Sequence, residues 1–584
     1  MRTRAITVFS TQGRRGRRVF SDRSLCVLCA SALKVVIVAV MLSSPAAPRA
    51  QESPILRAMQ DELRRSMTEL RLKDEPPPYF VAYKVEDTTA TRITASLGAI
   101  IRNVSGRNRT LQVDVRVGDY MFDNSNFVER RGGMGPAFAE ASTSVSLDDD
   151  YDAMRREIWL ATDAAYKRAV GILARKKALN QNVAATRSVP DFSRESPAET
   201  LVPAASPAPA SREWVATARQ VSEVFTASPE IQTSDVSIWE THGTRYYLNS
   251  EGSKAVTPVH LASFRIYAET QADDGAAVRD GAAFIEQRLE DLPPVSDLVA
   301  RAREVANRVT AQRAAPIGEE YTGPVLIEGR ASPVFVASTL IPYMVSNKAP
   351  EAENPQVAQM ALGMVTPFLS RIGLRVLPDA FSVTDTPSLK QFGGRPVPGS
   401  YLVDDEGVPA KDVPLVEKGR LLTLLTGRAP QKNLLQSNGH FRAGGAQAGV
   451  FRLQSARTVP SSELRQKYLE HLKTFDRPFG YIVRAIQTEG GSGGGSGPEI
   501  AEAIKITQDG KEEVVRGLRF GSVPSSVFRD LLEASDQPAM FSDQVAGENT
   551  VVSVIAPSLI FEELEIQKTT DIAQKPPIVP SPLK

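Results

Sequence analysis

The sequence has 584 residues, 42% of them apolar and 23% charged, which leaves room for two to four folded domains and excludes a wholly disordered chain. The formal net charge of +1 conceals an asymmetry. Residues 1–50 hold nine Lys/Arg and one acidic residue, and the remaining 60 basic and 67 acidic side chains give a net of −7. A chain of that sign offers no basic face for nucleic acid.

Taken in chain order, the first element is a targeting segment. Arg2, Arg4, Arg14, Arg15, Arg17, Arg18 and Arg23 precede an apolar run from Leu25 to Leu42, interrupted by Lys34. Ser43-Ser44-Pro45-Ala46-Ala47-Pro48-Arg49-Ala50 follows. Basic, apolar and small-residue regions in this order read as a signal peptide of residues 1–50, cleaved after Ala50, and place the mature chain in the periplasm. The alternative is a membrane anchor through residues 25–42. Both cysteines, Cys26 and Cys29, lie here. The mature chain therefore has no disulfide, no thiolate metal ligand and no cysteine nucleophile.

Residues 51–320 read as an N-terminal α/β domain. Ile55, Leu56, Met59, Leu63, Met67 and Leu70 recur at helical spacing, so 54–72 is expected as an amphipathic helix. A strand over 79–87 follows, then period-two alternation through 93–101 and 111–117, the pattern of half-buried antiparallel strands. Asp148-Asp149-Asp150 suits the N-terminus of a long helix over 150–179, where backbone N–H groups point outward. The Pro/Ala/Ser-rich stretch 186–211 reads as a surface loop. A helix near 212–225 is expected next, then strands over 235–241 and 244–250 joined by a turn at His242-Gly243, a strand over 258–271, and helix over 284–313 with a break at Pro294.

Residues 321–568 read as a β-rich C-terminal domain, which makes the fold class α+β. Gly323 to Gly329 forms a buried strand and turn, and 331–346 a helix with Val334, Ala337, Ile341 and Val345 as its packing stripe. Short apolar runs with turn signals then dominate: Asp404-Asp405-Glu406-Gly407, Glu417-Lys418-Gly419-Arg420 and Gln508-Asp509-Gly510-Lys511. Gly490 to Gly497 reads as a flexible Gly/Ser loop, and 569–584 as a disordered tail.

Several of these blocks occur together in one order: Tyr246-Tyr247-Leu248-Asn249-Ser250-Glu251-Gly252, the Gly323–Gly329 strand, Phe381-Ser382-Val383-Thr384-Asp385-Thr386-Pro387, the Asp405-Glu406-Gly407 turn with the Glu417–Arg420 hairpin, and Val514-Val515-Arg516-Gly517. The ordered set resembles the TldD/PmbA (modulator of DNA gyrase) family over about residues 210–566. The resemblance implies an N-terminal α/β domain, a β-rich C-terminal domain and assembly as a homodimer or a heterodimer with another family subunit. In the family's catalytic branch a helix carries His-Glu-x-x-x-His and a distant cysteine completes a zinc site. Two imidazoles one turn apart face one ion, and the glutamate activates bound water. A non-catalytic branch lacks these residues and pairs with the catalytic one.

Here the matching helix reads Ala331-Ser332-Pro333-Val334-Phe335-Val336-Ala337-Ser338-Thr339-Leu340, without a His, Asp, Glu or Cys. The four histidines, His242, His260, His440 and His471, form no helical pair. No metal and no cofactor are expected. The leading reading is a metallopeptidase-related, non-catalytic protein that binds peptide or a partner subunit. The alternatives are an active hydrolase with a relocated site and a structural envelope protein. The candidate binding residues are His440 and Arg442, in the polar loop Asn438–Gly445, and Glu328 at the end of an apolar strand. Arg442 is read as exposed and able to hold a carboxylate through two parallel bonds, with the edge of the Gly323–Gly329 strand beside it pairing an extended peptide. His242 and His260 read as structural. The Asp404–Glu406 carboxylates read as turn chemistry before acid/base chemistry.

Overall fold

The computed structural model describes residues 53–128, 142–181, 188–202, 213–488, 497–545 and 549–569. The segment 1–50 read as a signal peptide, residues 203–211 of the Pro/Ala/Ser-rich stretch, the glycine run 490–496 and the tail beyond Thr569 lie outside these residues.

The alternation in the first region builds a seven-stranded sheet. Its long strands are β1 (Pro78–Ser96), β2 (Ala99–Val117), β3 (Thr233–Asn249), β4 (Lys254–Gln271) and β5 (Ala277–Glu286). They lie in the order β2-β1-β3-β4-β5, all antiparallel. Helices α1 (Pro54–Glu69) and α2 (Tyr151–Asn180) cover one end of one face, with Ile55, Met59, Ile158 and Leu173 against Val81, Tyr83 and Val113. Helices α3 (Trp214–Glu223) and α4 (Val295–Ala314) cover the other end, with Trp214, Val221 and Val305 against Ile238, Phe264 and Ile266. Asp150 caps α2 by accepting the Ala153 N–H at 2.7 Å, as the acidic triplet suggests.

Three local readings are corrected. Residues 93–101 are not one strand. The hairpin between β1 and β2 turns inside them, at Leu97 and Gly98, both with positive φ. His242-Gly243 is not a turn either, because β3 runs straight through it. Glycine is needed there because a Cβ at Gly243 would sit 2.0 Å from the Asp87 carbonyl oxygen on β1. Within 186–211, Asp191, Phe192 and Ser193 are buried rather than looped on the surface, and Glu199–Leu201 pairs in parallel with β4.

The second region forms an eleven-stranded sheet. The strands used below are β6 (Tyr321–Ile327), β7 (Phe381–Asp385), β8 (Val413–Glu417), β9 (Val450–Ser455), β10 (Phe479–Ile486), β11 (Glu499–Thr507), β12 (Leu518–Phe520), β13 (Leu531–Gln544) and β14 (Val551–Lys568). The run β8-β7-β9-β14-β12-β11-β10-β6 returns on itself, since β14 also pairs with β6. The strand β6 is thus paired on both sides, in parallel with β10 and antiparallel with β14. It has no free edge over Val325–Ile327 for a peptide, which corrects the strand-edge reading. The helix expected over 331–346 is shorter. It runs as α5 (Ala331–Thr339), followed by a turn of helix at Ile341–Met344. Ala331, Phe335, Val336, Leu340 and Met344 are buried, while Val334 and Ala337 are only partly covered. The packing stripe is therefore displaced from the one read in the sequence. From Pro54 onward both sheets belong to one compact unit.

Candidate functional site

The face of the first sheet away from α1–α4 meets the loops of the second region through charged groups. Arg245 on β3 holds Glu86 and donates to Asp405 at 2.9 Å. Lys84 on β1 lies 3.5 Å from Asp405. The Tyr247 hydroxyl donates to the Glu406 carbonyl at 2.8 Å. Gly407 turns beneath that ring, where a Cβ would stand 2.2 Å from it. Arg116 and Arg428 lie 3.6 and 3.8 Å from the Phe192 ring centroid. Cations against aromatic faces in a dry junction are favourable contacts.

A cavity of about 440 Å³ opens beside this junction. Its floor is Phe80, Ala82 and Lys84 of β1 with Gln112, Asp114 and Arg116 of β2. One wall is Ala165, Arg168, Ala169 and Ile172, an i, i+3, i+4, i+7 stripe of α2. The opposite wall is Asp405, Glu406, Phe441, Ala443 and Gly444 from the second region. Burial disfavours ionisation of Glu406 and outweighs Arg116 and Arg428, raising its carboxyl to about 7. Burial acts on Asp405 too, but Lys84 and Arg245 outweigh it and hold that carboxyl below the usual range.

The residues singled out in the sequence fall around this cavity rather than in it. His440 is fully buried. Its Nε2 lies 3.2 Å from Asp385 and its Nδ1 3.0 Å from the Asn438 carbonyl. Arg442, expected exposed, is 7% exposed. It donates to the Ala448 and Val551 carbonyls at 3.2 and 3.1 Å and stacks on Tyr401. A guanidinium committed to two carbonyls in a buried site is a structural brace, not a free carboxylate anchor. Period two in the short hairpin Phe441–Arg442/Gly445–Ala446 explains this, because Phe441 and Ala443 face the cavity and Arg442 the interior. Glu328 is half-exposed and pairs with Arg484 at 2.9 Å, with no hydrogen bond to His440 or Arg442. Asp404 does what turn chemistry asks, accepting the Glu406, Val408 and Phe441 amides. Sequence reasoning missed Lys84, Gln112, Arg168 and Arg428. Charges inside an apolar strand and the small Ala165/Ala169 stripe beside Arg168 were the available signals.

The zinc that the resemblance implies for catalytic relatives would need imidazole or carboxylate donors on α5. That helix carries only hydroxyls, and each is spent. Ser332 donates to the Pro557 carbonyl, Ser338 to the Val334 carbonyl and Thr339 to the Phe335 carbonyl. Phe335 packs against Phe520 and Phe561, with ring centroids at 4.9 and 5.2 Å. Among the described residues no group of three or more His, Cys, Asp or Glu is arranged to hold a metal ion. The residues of α5 do not fit the ion.

Comparison with known proteins agrees with this architecture. Residues 324–568 match the PmbA/TldA metallopeptidase C-terminal domain. No curated protein matches in sequence. Three crystal structures share the fold, each with a TM-score of 0.53. A candidate modulator of a DNA gyrase from Thermotoga maritima is 15% identical and covers 84% of this chain and 96% of its own. TldE from Thermococcus kodakarensis is 13% identical, covering 87% and 99%. A candidate modulator of DNA gyrase from Bacteroides thetaiotaomicron is 12% identical, covering 88% and 98%. Residues 324–568 thus match the PmbA/TldA metallopeptidase C-terminal domain, and the chain shares the fold of these three structures over more than four fifths of its length.

Proposed function

We propose that this chain is a non-catalytic, metallopeptidase-related protein of the periplasm that binds a peptide or a segment of a partner subunit in the cavity between its two sheets. The observation that carries the reading is the conjunction of a formed cavity with a helix α5 stripped of metal donors. Catalysis through zinc requires ligands at fixed geometry. Recognition of an extended chain requires only a concave, partly apolar site with a few oriented polar groups, and Phe80, Phe441, Gln112 and Glu406 supply both kinds of surface.

The partner-subunit version has its own support. Met360, Leu362, Met364 and Leu374 are more than half exposed within one short stretch, and Met364 is 85% exposed. Large apolar side chains gathered in this way mark interaction surfaces.

The test is a binding screen of short random-sequence peptides against the mature protein. The expected result is saturable binding in the micromolar range, about −8 kcal/mol, without cleavage of the peptide. Absence of binding by every pool would refute the peptide version and leave the partner subunit.

A further inference from the structure

Two of the four histidines face each other across a pair of strands. His242 on β3 and His260 on β4 are register partners. The Asn249 N–H donates to the Ser253 carbonyl at 3.1 Å, and the register runs unbroken from Leu248 to His242. Odd-numbered residues of β3 therefore form the hydrogen-bonded pairs with β4. His242–His260 is a pair of the other kind, in which opposed side chains come closer, with Cβ atoms about 4.5–5.5 Å apart. Four residues along each strand, Ile238 and Phe264 pack under α3 and α4, whereas Tyr246 and Leu248 pack under α1 and α2. The two imidazoles thus stand on the helix-bearing face of the sheet, between the helix pairs. The junction where Lys84 and Arg245 meet Asp405 lies on the opposite face.

Neither ring is committed. Both residues are half-buried, and neither imidazole makes a hydrogen bond or ion pair among the described residues. The His242 Nδ1 is enclosed with no partner. A buried ring nitrogen with nothing to bond costs free energy, so packing alone is a poor reason for this residue. The neighbouring charges are accounted for. Burial, then His242, then Arg288 hold the His260 imidazole below its ordinary range, against Glu290. Arg288 is itself held by Glu290 and Asp291 at 2.9 and 3.1 Å. Glu240, two residues before His242 on the same face, makes no hydrogen bond among the described residues and is opposed by the small Ala262.

We infer that the His242–His260 pair is a binding site for a divalent transition ion, copper(II) before zinc(II). Two imidazoles on adjacent strands offer two nitrogen donors to one ion, and imidazole suits both metals, with copper(II) bound more tightly by a given set of donors. Among the described residues no third His, Cys, Asp or Glu completes the set. Water fills the other positions, which suits tetragonal copper(II) better than the closed tetrahedron of a structural zinc. Glu240 adds a negative charge beside the ion rather than a ligand. The ion ties β3 to β4 and is separate from α5 and from the peptide reading above.

The experiment titrates copper(II) alone, at neutral pH, into the full chain carrying Cys26→Ser and Cys29→Ser, which removes both thiols. The same chain is also made with His242→Gln, His260→Gln or His471→Gln. His471, on the surface beside Glu533 at 3.6 Å, is the control, since His440 is fully buried. The expected result is one copper(II) per chain with an electron paramagnetic resonance spectrum of two equatorial nitrogens. Losing either ring of the pair removes the chelate and weakens binding at least about a hundredfold, while His471→Gln leaves it unchanged. Copper(II) should also raise the thermal unfolding midpoint of the parent chain and not that of His242→Gln or His260→Gln. The nitrogen count is read on the parent chain, so it decides the matter even if a variant fails to fold. A spectrum with fewer than two nitrogens, no stoichiometric binding, binding unchanged in either variant of the pair, or binding lost in His471→Gln would overturn the inference.

Discussion

Replacing Arg428 with alanine is expected to cost about 3–5 kcal/mol of stability, the scale of breaking a buried ion pair from one side. Arg428 is fully buried. It donates to the Ser193 carbonyl through Nε at 3.2 Å and through its NH2 nitrogen at 2.5 Å, and it meets Glu251 at 2.8 Å. Those partners belong to the first region and Arg428 to the second, so its guanidinium is a rivet between them. Alanine would leave the Glu251 carboxylate without its cation and open a void beneath Phe192 and Phe80, which lie 3.8 and 5.1 Å from the charge. Urea unfolding followed by tryptophan fluorescence reads the change. The double variant Arg428→Met with Glu251→Gln should recover much of the loss, because removing both charges costs less than orphaning one. A shift below about 1 kcal/mol in the single variant, within reach of an ordinary surface contact, would show that the rivet carries no load.

A comparable loss is expected for Asp191→Ala. Lys176 and Asp191 are both fully buried and 2.7 Å apart. Lys176 also donates to the Ser125 and Asp123 carbonyls, while Lys348 reaches Asp191 at 3.0 Å. Removing the carboxylate leaves the Lys176 ammonium facing carbonyls alone, at about 3–5 kcal/mol. Burial opposes ionisation of Asp191, but Lys176 and Lys348 outweigh it and hold its carboxyl below the ordinary aspartate value. A depressed folded-state pKa contributes stability above the unfolded value that is lost as pH falls through the folded one. Wild type should therefore lose stability in acid more steeply than Asp191→Ala. Urea midpoints at neutral pH and below pH 4 compare the two, and parallel pH profiles would refute this account of the pair.

Much of the fold was legible because periodicity is local. The alternation of Leu111, Val113, Val115 and Val117 identified β2, and the spacing of Ile55, Leu56, Met59 and Leu63 identified α1. Where the sequence misled, a distant partner set the outcome. His242-Gly243 has turn composition, yet Gly243 is there to let the Asp87 carbonyl of β1 pass, a contact between residues far apart in the chain. Arg442 sits in a polar, glycine-bearing loop, but the strand β14 supplies the Val551 carbonyl that buries it. The cavity was harder still, since it lies where Lys84 and Arg245 of the first region meet Asp405 of the second, contacts between residues far apart in the chain. The absence of zinc ligands on α5 needed no structure, because it is a matter of residue identity.

The central claim, a peptidase scaffold without its zinc chemistry, is tested most directly by one assay on the purified protein. Random-sequence peptides are incubated with it in the presence of added zinc, of a chelator, and of a chelator followed by zinc, and new amino termini are counted. The account predicts no cleavage in any of the three while the peptides still bind. Cleavage that the chelator abolishes and zinc restores would contradict it.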